Sequence, residues 1–302
     1  MKNKFDVIII GGSYAGLSAG LALGRSLRKV LIIDAGKPCN SPTPRSHNFI
    51  TQDGVAPGKI AAIARLQVEK YSTVQFYKGK ATEAESVSGG FTISTDNGES
   101  FDAKKLIFAA GLKDIMPRIE GFSSCWGKSI LHCPYCHGYE VKQVKTGIIA
   151  NGDMAFHYAT LISNWTNELS VFTNGNSTLT QEQQAQLQKH SIKIFEAKVQ
   201  ELVHDNGQLT KIILEDASEY ELSAIYSAPE TKQHCELPER LGCEINDDGL
   251  VQVDPFQKTT VPGVYACGDS ANMRSVAMAV SSGQIAGVVS NKELVEESFI
   301  QK

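Results

Sequence analysis

The chain has 302 residues, 42% hydrophobic and 21% charged, with 33 acidic against 29 basic side chains for a net charge of -4. These are ordinary globular values that exclude a disordered chain, and the length exceeds what one core usually supports, so two domains are expected. Lys and Arg are scattered along a slightly acidic chain, which leaves no basic field for a phosphate backbone and excludes nucleic acid as a partner.

Residues 5–10, FDVIII, form an apolar β-branched run. Lys2 and Lys4 precede or open it, but the run is too short for a signal peptide and no cleavage-site pattern follows. No later segment approaches a transmembrane length, so a cytoplasmic protein with no membrane partner is expected. The run leads into GGSYAG, then the small-residue helical pattern LSAGLALGRSL, then the strand KVLIID ending at Asp34. This is a β-turn-α-β unit with a dinucleotide fingerprint at its turn. Gly11 permits the tight turn, Gly16 allows helix and strand to pack closely, and Tyr14 and Ala15 open a helix whose N–H groups can face a pyrophosphate. Ser13 replaces the middle glycine of the fingerprint, and its hydroxyl could itself bond the phosphate. Asp34 lies 18 residues beyond Gly16, where a carboxylate accepts from ribose hydroxyls.

A polar loop, PRSHNFITQDG, carries His47 between two elements of the first domain. A helical stretch follows around 57–71, then short alternating runs around 74–101 and the apolar run KLIFAAG. Loop punctuation by PRIEG near 117 and APETK near 228 marks two crossings between domains.

At 131–140 the chain reads LHCPYCHGYE. Seven cysteines spread along 302 residues are no secreted disulfide framework, and Cys133 and Cys136 alone form a motif. Such a pair can hold zinc, close a structural disulfide or shuttle electron pairs. Zinc needs four ligands, yet no second CxxC or His pair lies at finger-like spacing, and His132 and His137 each adjoin a cysteine, a poor geometry for one tetrahedron. No metal is expected. Pro134 stiffens the turn, and the flanking imidazoles can trade protons with thiols near neutral pH, which favours the redox reading. His157, His190, His204 and His234 sit in contexts where surface or packing roles are the default.

Near 147 the first pattern returns as GIIANGDMAFHYATLISNW followed by LSVFT, offset by 139 residues when Gly11 is aligned with Ala150. Two copies of one nucleotide-binding architecture are expected, the second with Ala150, Gly152 and Ala155 at the fingerprint positions. No arginine occurs from 119 to 239, and the strand LSVFTNGN ends in neutral residues. A 2′-phosphate calls for an arginine fork and a free ribose for a carboxylate, so this copy is either a nucleotide fold that has lost its ligand or an altered working site. Short strands recur around 197–222. GVYACGD then places Gly268 and Asp269 ahead of a helical pattern over about 272–291, with Asp269 either holding a sugar-like hydroxyl or serving as a helix N-terminal carboxylate.

DVIIIGGSYAGLSAGLAL, KLIFAAGLKDIMPRIEG, CPYCHG and TTVPGVYACGD together resemble the low-molecular-weight thioredoxin reductases over essentially the whole chain. The resemblance implies an α/β fold of two Rossmann-like, three-layer ββα domains, the second inserted into the first. FAD would be bound by residues 1–113 and 233–302, with a nucleotide-type domain over 114–232 carrying the CxxC, in a homodimer. Ala110, Gly111, Gly268 and Asp269 would join the fingerprint residues as cofactor-binding positions, and His47 would face the flavin. Cys133 would exchange with substrate and Cys136 would face the isoalloxazine.

Two departures stand out: His137 occupies the position of the family's aspartate, and the NADPH domain lacks its full glycine pattern and arginine pair. Both resemble the branch that oxidises small-molecule dithiols, the gliotoxin and holomycin type, with oxygen as acceptor and His137 or His132 moving protons. NAD(P)H use stays open. The alternatives are a thioredoxin or other disulfide reductase fed by NAD(P)H or ferredoxin, and a non-catalytic flavin redox sensor. The partner is accordingly a small dithiol or disulfide, or a thioredoxin-like protein.

Overall fold

Buried Val and Ile residues pair into the central parallel strands of the first unit, and their register puts the C-terminal ends of these strands on one edge. In the computed structural model, which describes residues 3–300, Lys4–Ile10 runs parallel to Val30–Asp34 and to Ser100–Phe108, with Ile10 opposite Ile33 and Phe108. Val74–Lys78 extends the sheet beyond Val30–Asp34, and Val264–Ala266 pairs parallel with Ser100–Phe108. The antiparallel strands Ala81–Val87 and Gly90–Thr95 complete a seven-stranded sheet. Gly11, Asp34, Ala109–Gly111 and Cys267–Asp269 therefore leave the sheet side by side, at the end where α/β folds bind ligands.

One face of this sheet packs Ile8, Ile10, Leu31, Ile33, Leu106 and Phe108 into a core. Helices Tyr14–Arg25 and Val276–Ile300 pack against each other, with Ser18 Oγ donating to the Val280 carbonyl at 2.7 Å. Gly283 allows that approach: an added Cβ would overlap the Ala15 carbonyl. The last helix is longer than the expected 272–291. NKELVEESFI continues it to Ile300, because Glu293 and Glu297 turn inward to the buried Lys105.

The second unit repeats the scheme. Five parallel strands run in the order Lys193–Phe195, Leu169–Phe172, Thr146–Ile149, Ala224–Ser227 and Ile130–Leu131. A three-stranded antiparallel sheet of Val199–Asp205, Gln208–Leu214 and Glu219–Glu221 accompanies them. Helix Gln181–Lys189 was not foreseen; Thr180 and Gln183 start it with a reciprocal capping box. The expected α/β class with two Rossmann-like units holds.

The division between units is Met1–Ser41, Pro57–Lys113 and Thr231–Lys302 against Pro42–Ala56 and Asp114–Glu230. Residues 1–2 and 301–302, which the expected FAD-binding ranges include, lie outside the described residues. Two features differ from the expectation. The crossings are not loops near 117 and 228 but short strands, Leu112–Ile115 and Glu230–Gln233, which pair with each other. Residues 42–56, expected within the first domain, belong to the second unit, where Asn48 Nδ2 donates to the Tyr135 carbonyl. Among the described residues no helix is long and apolar enough to cross a membrane.

Candidate active site

The first unit holds a cleft of about 600 Å³ lined by Gly11, Asp34, Lys37, Lys78, Ala110 and His234, among others. Its turn is a cradle that side chains would fill. Gly11 has φ 110° and an added Cβ there would run into the Ala109 carbonyl; a Cβ on Gly16 would overlap the Gly11 carbonyl. Ser13 is the N-cap of Tyr14–Arg25, but its hydroxyl makes no capping bond, and the first turn holds no acidic residue. The helix start thus keeps its partial positive charge for an anion.

Tyr14 and Ala15 serve this cradle through their backbone. The Tyr14 hydroxyl donates to the Pro57 carbonyl at 3.1 Å and accepts from Asn40, while the Ala15 side chain is buried. Gly111 donates to Ser270 Oγ at 2.7 Å and accepts from the His234 N–H, so it shapes the loop. Gly268 donates to Ser282 Oγ at 3.0 Å. Asp269 lies 3.8 Å from Arg274 Nε and accepts from Cys39 Sγ at 3.5 Å. Burial, and after it Asp269, push the Cys39 thiol up to about 11, so it stays protonated. Ser270 and Ser282 escaped the sequence reading, since a serine in a turn or on a helix carries no pattern of its own.

In the second unit Cys133 and Cys136 form a disulfide. Cys133 is the N-cap of the short helix Pro134–His137, Pro134 stands at its first turn, and the Cys136 N–H donates to Cys133 Sγ at 3.1 Å. Gly138 lets the turn press on Trp165, since an added Cβ would lie 2.8 Å from the indole Nε1. Both cysteines are half-buried, whereas Tyr135 and Tyr139 are exposed. Exchange requires a sulfur that a thiolate can reach, and half-burial leaves that access.

The two candidate histidines part ways. His132 packs against Trp126, ring centroids 6.0 Å apart, and its carbonyl accepts from the Tyr158 hydroxyl at 3.0 Å. His137 follows Cys136 and meets the ring of His47 edge-on, 6.4 Å between centroids. His47 in turn stands between two carboxylates, Nδ1 at 3.5 Å from Asp53 and Nε2 at 3.4 Å from Glu140. Burial, and after it His47, push the His137 imidazole below its ordinary value, with Glu140 opposing. His47 is therefore part of the second unit's thiol neighbourhood and not of a first-domain loop. Glu140 could have been noticed three residues after His137; Asp53 and His47 come from a distant segment and could not. Among the described residues no group of three or more His, Cys, Asp or Glu side chains could hold a metal ion.

The second fingerprint turn is closed by the chain itself. Asn151 caps helix Gly152–Ile162, its Oδ1 accepting from the N–H groups of Gly152 at 2.9 Å and Thr178 at 2.8 Å. Its Nδ2 donates to the Asn176 carbonyl at 2.8 Å. Asp153 occupies the first turn, where a phosphate would meet like charge, and accepts from Gln183 Nε2 at 2.7 Å. Past the strand Leu169–Phe172, Asn174 Oδ1 is taken by the Val199 N–H at 2.8 Å.

Residues 5–283 match the profile of the pyridine nucleotide-disulphide oxidoreductases. The chain is 34% identical to thioredoxin reductase tcpT of Claviceps purpurea, over all of this chain and 98% of that protein. An oxidoreductase from Agrobacterium tumefaciens is 39% identical, with a TM-score of 0.90 over 97% of this chain and 99% of that one. HlmI is 31% identical, with a TM-score of 0.93 over 99% of this chain and 95% of its own.

Proposed function

The chain belongs to the pyridine nucleotide-disulphide oxidoreductase family, and within it we propose that this FAD-dependent, thioredoxin-reductase-like enzyme runs as an oxidase of small-molecule dithiols. The glycine cradle at Gly11 and Gly16, the acid-free helix start after Ser13 and the cleft beside Asp34 fit the pyrophosphate and ribose of FAD. Bound there, FAD supplies the acceptor that takes an electron pair from the reduced cysteines and hands it to molecular oxygen.

The observation that carries the oxidase direction is the closed second turn. Asn151 takes the first N–H of the helix, that of Gly152, which a pyrophosphate would use, together with the Thr178 N–H across the turn, and Asp153 sets a carboxylate against an anion. On this reading electrons enter at the sulfurs and not from a nicotinamide nucleotide. A substrate thiolate attacks Cys133 Sγ, the Cys133–Cys136 bond breaks, and Cys136 Sγ leaves as the thiolate. The substrate's second thiol then attacks the sulfur bonded to Cys133, releasing the product disulfide and leaving both cysteines reduced. One dithiol is oxidised and one disulfide reduced, and the two thiol protons pass to the cysteine sulfurs through His137, which a low proton affinity keeps available as the acceptor.

The reading includes a cytoplasmic homodimer, the compartment supported by the thin scatter of seven cysteines and the homodimer by the family resemblance. The rival, an NADPH-fed disulfide reductase, is favoured by the name of the Claviceps relative. Anaerobic addition of NADPH, NADH and then dithiothreitol to the FAD-loaded protein separates them. We expect the flavin absorbance to fall with the dithiol alone and to return on admitting air. A rapid fall with either nucleotide would overturn the proposal.

A further inference from the structure

The loop 42–56 folds on itself, with the Ser46 N–H donating to the Val55 carbonyl at 2.9 Å and the Asn48 N–H to Asp53 Oδ1 at 2.9 Å. This fixes Asp53 beside His47. A second tie, from Asn48 Nδ2 to the Tyr135 carbonyl, fastens the loop to the turn that carries the disulfide. His47 is thereby brought to His137 with a carboxylate on each ring nitrogen, and its side chain is 18% exposed. A neutral imidazole can donate to one of those carboxylates, an imidazolium to both.

We propose that His47 is a positioning residue for the thiol chemistry: held between Asp53 and Glu140, its ring forms a post against which the ring of His137 is set, so that residues outside the CxxCH motif tune dithiol exchange. The proposal rests on the reading of Cys133 and Cys136 as the exchanging pair.

The charged and titratable groups around His137 act in opposite senses. His47, from the 42–56 loop, disfavours a proton on His137, and Glu140, from the turn after the short helix, favours one. Asp53 faces the far side of His47. Behind Glu140 stands Tyr226 on strand Ala224–Ser227, its buried hydroxyl without a hydrogen-bond partner and its acidity suppressed by burial, then by Glu140 and Tyr158. Removing the His47 imidazole should therefore make His137 hold its proton to higher pH, and removing the Glu140 charge should make it release the proton at lower pH. The two substitutions are both polar and similar in size, yet predict opposite outcomes.

The experiment follows the His137 Cε1–H resonance against pH in FAD-loaded, disulfide-form protein, with H137Q for assignment, together with the anaerobic rate of disulfide reduction by dithiothreitol. For His47→Gln the midpoint should rise and the rate at pH 6 fall about three- to tenfold, with little change at pH 8. For Glu140→Gln the midpoint should fall and the rate at pH 6 be kept or rise. His47→Lys, which places a cation between the carboxylates, should hold the midpoint at or below that of the unaltered protein. Equal shifts for His47→Gln and Glu140→Gln, no shift in either, or a Lys variant that behaves as the Gln variant would overturn the proposal. Correct midpoint shifts in a protein that dithiothreitol does not reduce would instead overturn the thiol-exchange reading and leave the electrostatic one standing.

Discussion

The Cys133 sulfur accepts the Cys136 N–H while its backbone carbonyl accepts from Cys136 and His137, so the residue caps the turn it is bonded across. A thiolate left on Cys133 would keep that donor and the start of a helical turn, a modest stabilisation that favours its release from the mixed disulfide in the second exchange. Both Cys133→Ser and Cys136→Ser should abolish turnover, but only Cys136→Ser, offered the disulfide form of the substrate, should form a mixed disulfide: the Cys133 thiolate attacks that disulfide, one substrate sulfur leaves as the thiolate, and the adduct is visible by mass spectrometry of the intact protein. An adduct on the Cys133→Ser protein instead would reverse the two roles. His137→Gln should slow dithiol reduction by about a hundredfold at pH 7, the lower range for a lost general base, with little effect on thermal stability. The sign of its pH dependence follows from burial and His47: the proton affinity of His137 is lowered from 6.5, so the base stays neutral into mild acid and the acidic limb of the rate should lie below pH 6.5. An acidic limb above that value would contradict the placement of His47. The CxxCH motif was legible because its members are neighbours in the chain. Its electrostatic surroundings were not, because Asp53 and His47 reach it only through the fold of a loop some eighty residues earlier.

At the scale of elements, the two long helices of the first unit meet where glycine removes a side chain. Gly283→Val would drive a branched side chain into the Ala15 backbone, which belongs to the glycine turn proposed to hold the FAD pyrophosphate. The helices must separate or the turn must shift, at a cost of about 1–3 kcal/mol for overpacking, with weaker FAD retention. Equilibrium unfolding together with flavin content after dialysis would measure both. The helix end carries a second test. Burial raises the proton affinity of Glu293, but hydrogen bonds from Lys258, Tyr265 and Lys105 outweigh it and the net shift is downward from 4.5. A carboxylate with a depressed folded value adds stability that is present above its unfolded value and lost as pH falls through the folded one. The unaltered protein should lose stability below about pH 4.5 more steeply than Glu293→Gln, which should be less stable by about 1–3 kcal/mol at pH 7. Urea midpoints at pH 7 and pH 4 decide this, and parallel losses would exclude a role for Glu293 in the acid limb. The amphipathic and β-branched patterns marked most strands and both fingerprint helices. The last nine residues of the final helix were missed because NKELVEESFI reads as a solvated charge run until Lys105, buried on a strand nearly two hundred residues earlier, supplies the partner.

For the whole molecule, one architecture appears twice with opposite treatment of its anion site. The first helix start is left without an acidic residue or a side-chain cap; the second has both. A pyrophosphate offered to the second turn must displace Asn151 from two backbone N–H groups and approach Asp153, losing hydrogen bonds and gaining like-charge repulsion. Ligand that binds the folded state stabilises it by mass action, by about 2.7 kcal/mol when present at 100 times its Kd, and so raises the melting temperature. FAD should therefore raise the melting temperature of flavin-depleted protein, while millimolar NADPH or NADH should leave that of the FAD-loaded protein unchanged. A shift with NADPH would mean that the Asn151 cap opens, and the oxidase reading would lose its main support. If no shift is seen, replacing Asn151 by Gly and Asp153 by Ser tests whether the closure is the cause. Those changes free the N–H groups and remove the carboxylate, so a weak nucleotide-dependent shift should emerge. It should be alike for NADPH and NADH, because the strand end at Thr173 and Asn174 carries neither an arginine fork nor a ribose-binding acid.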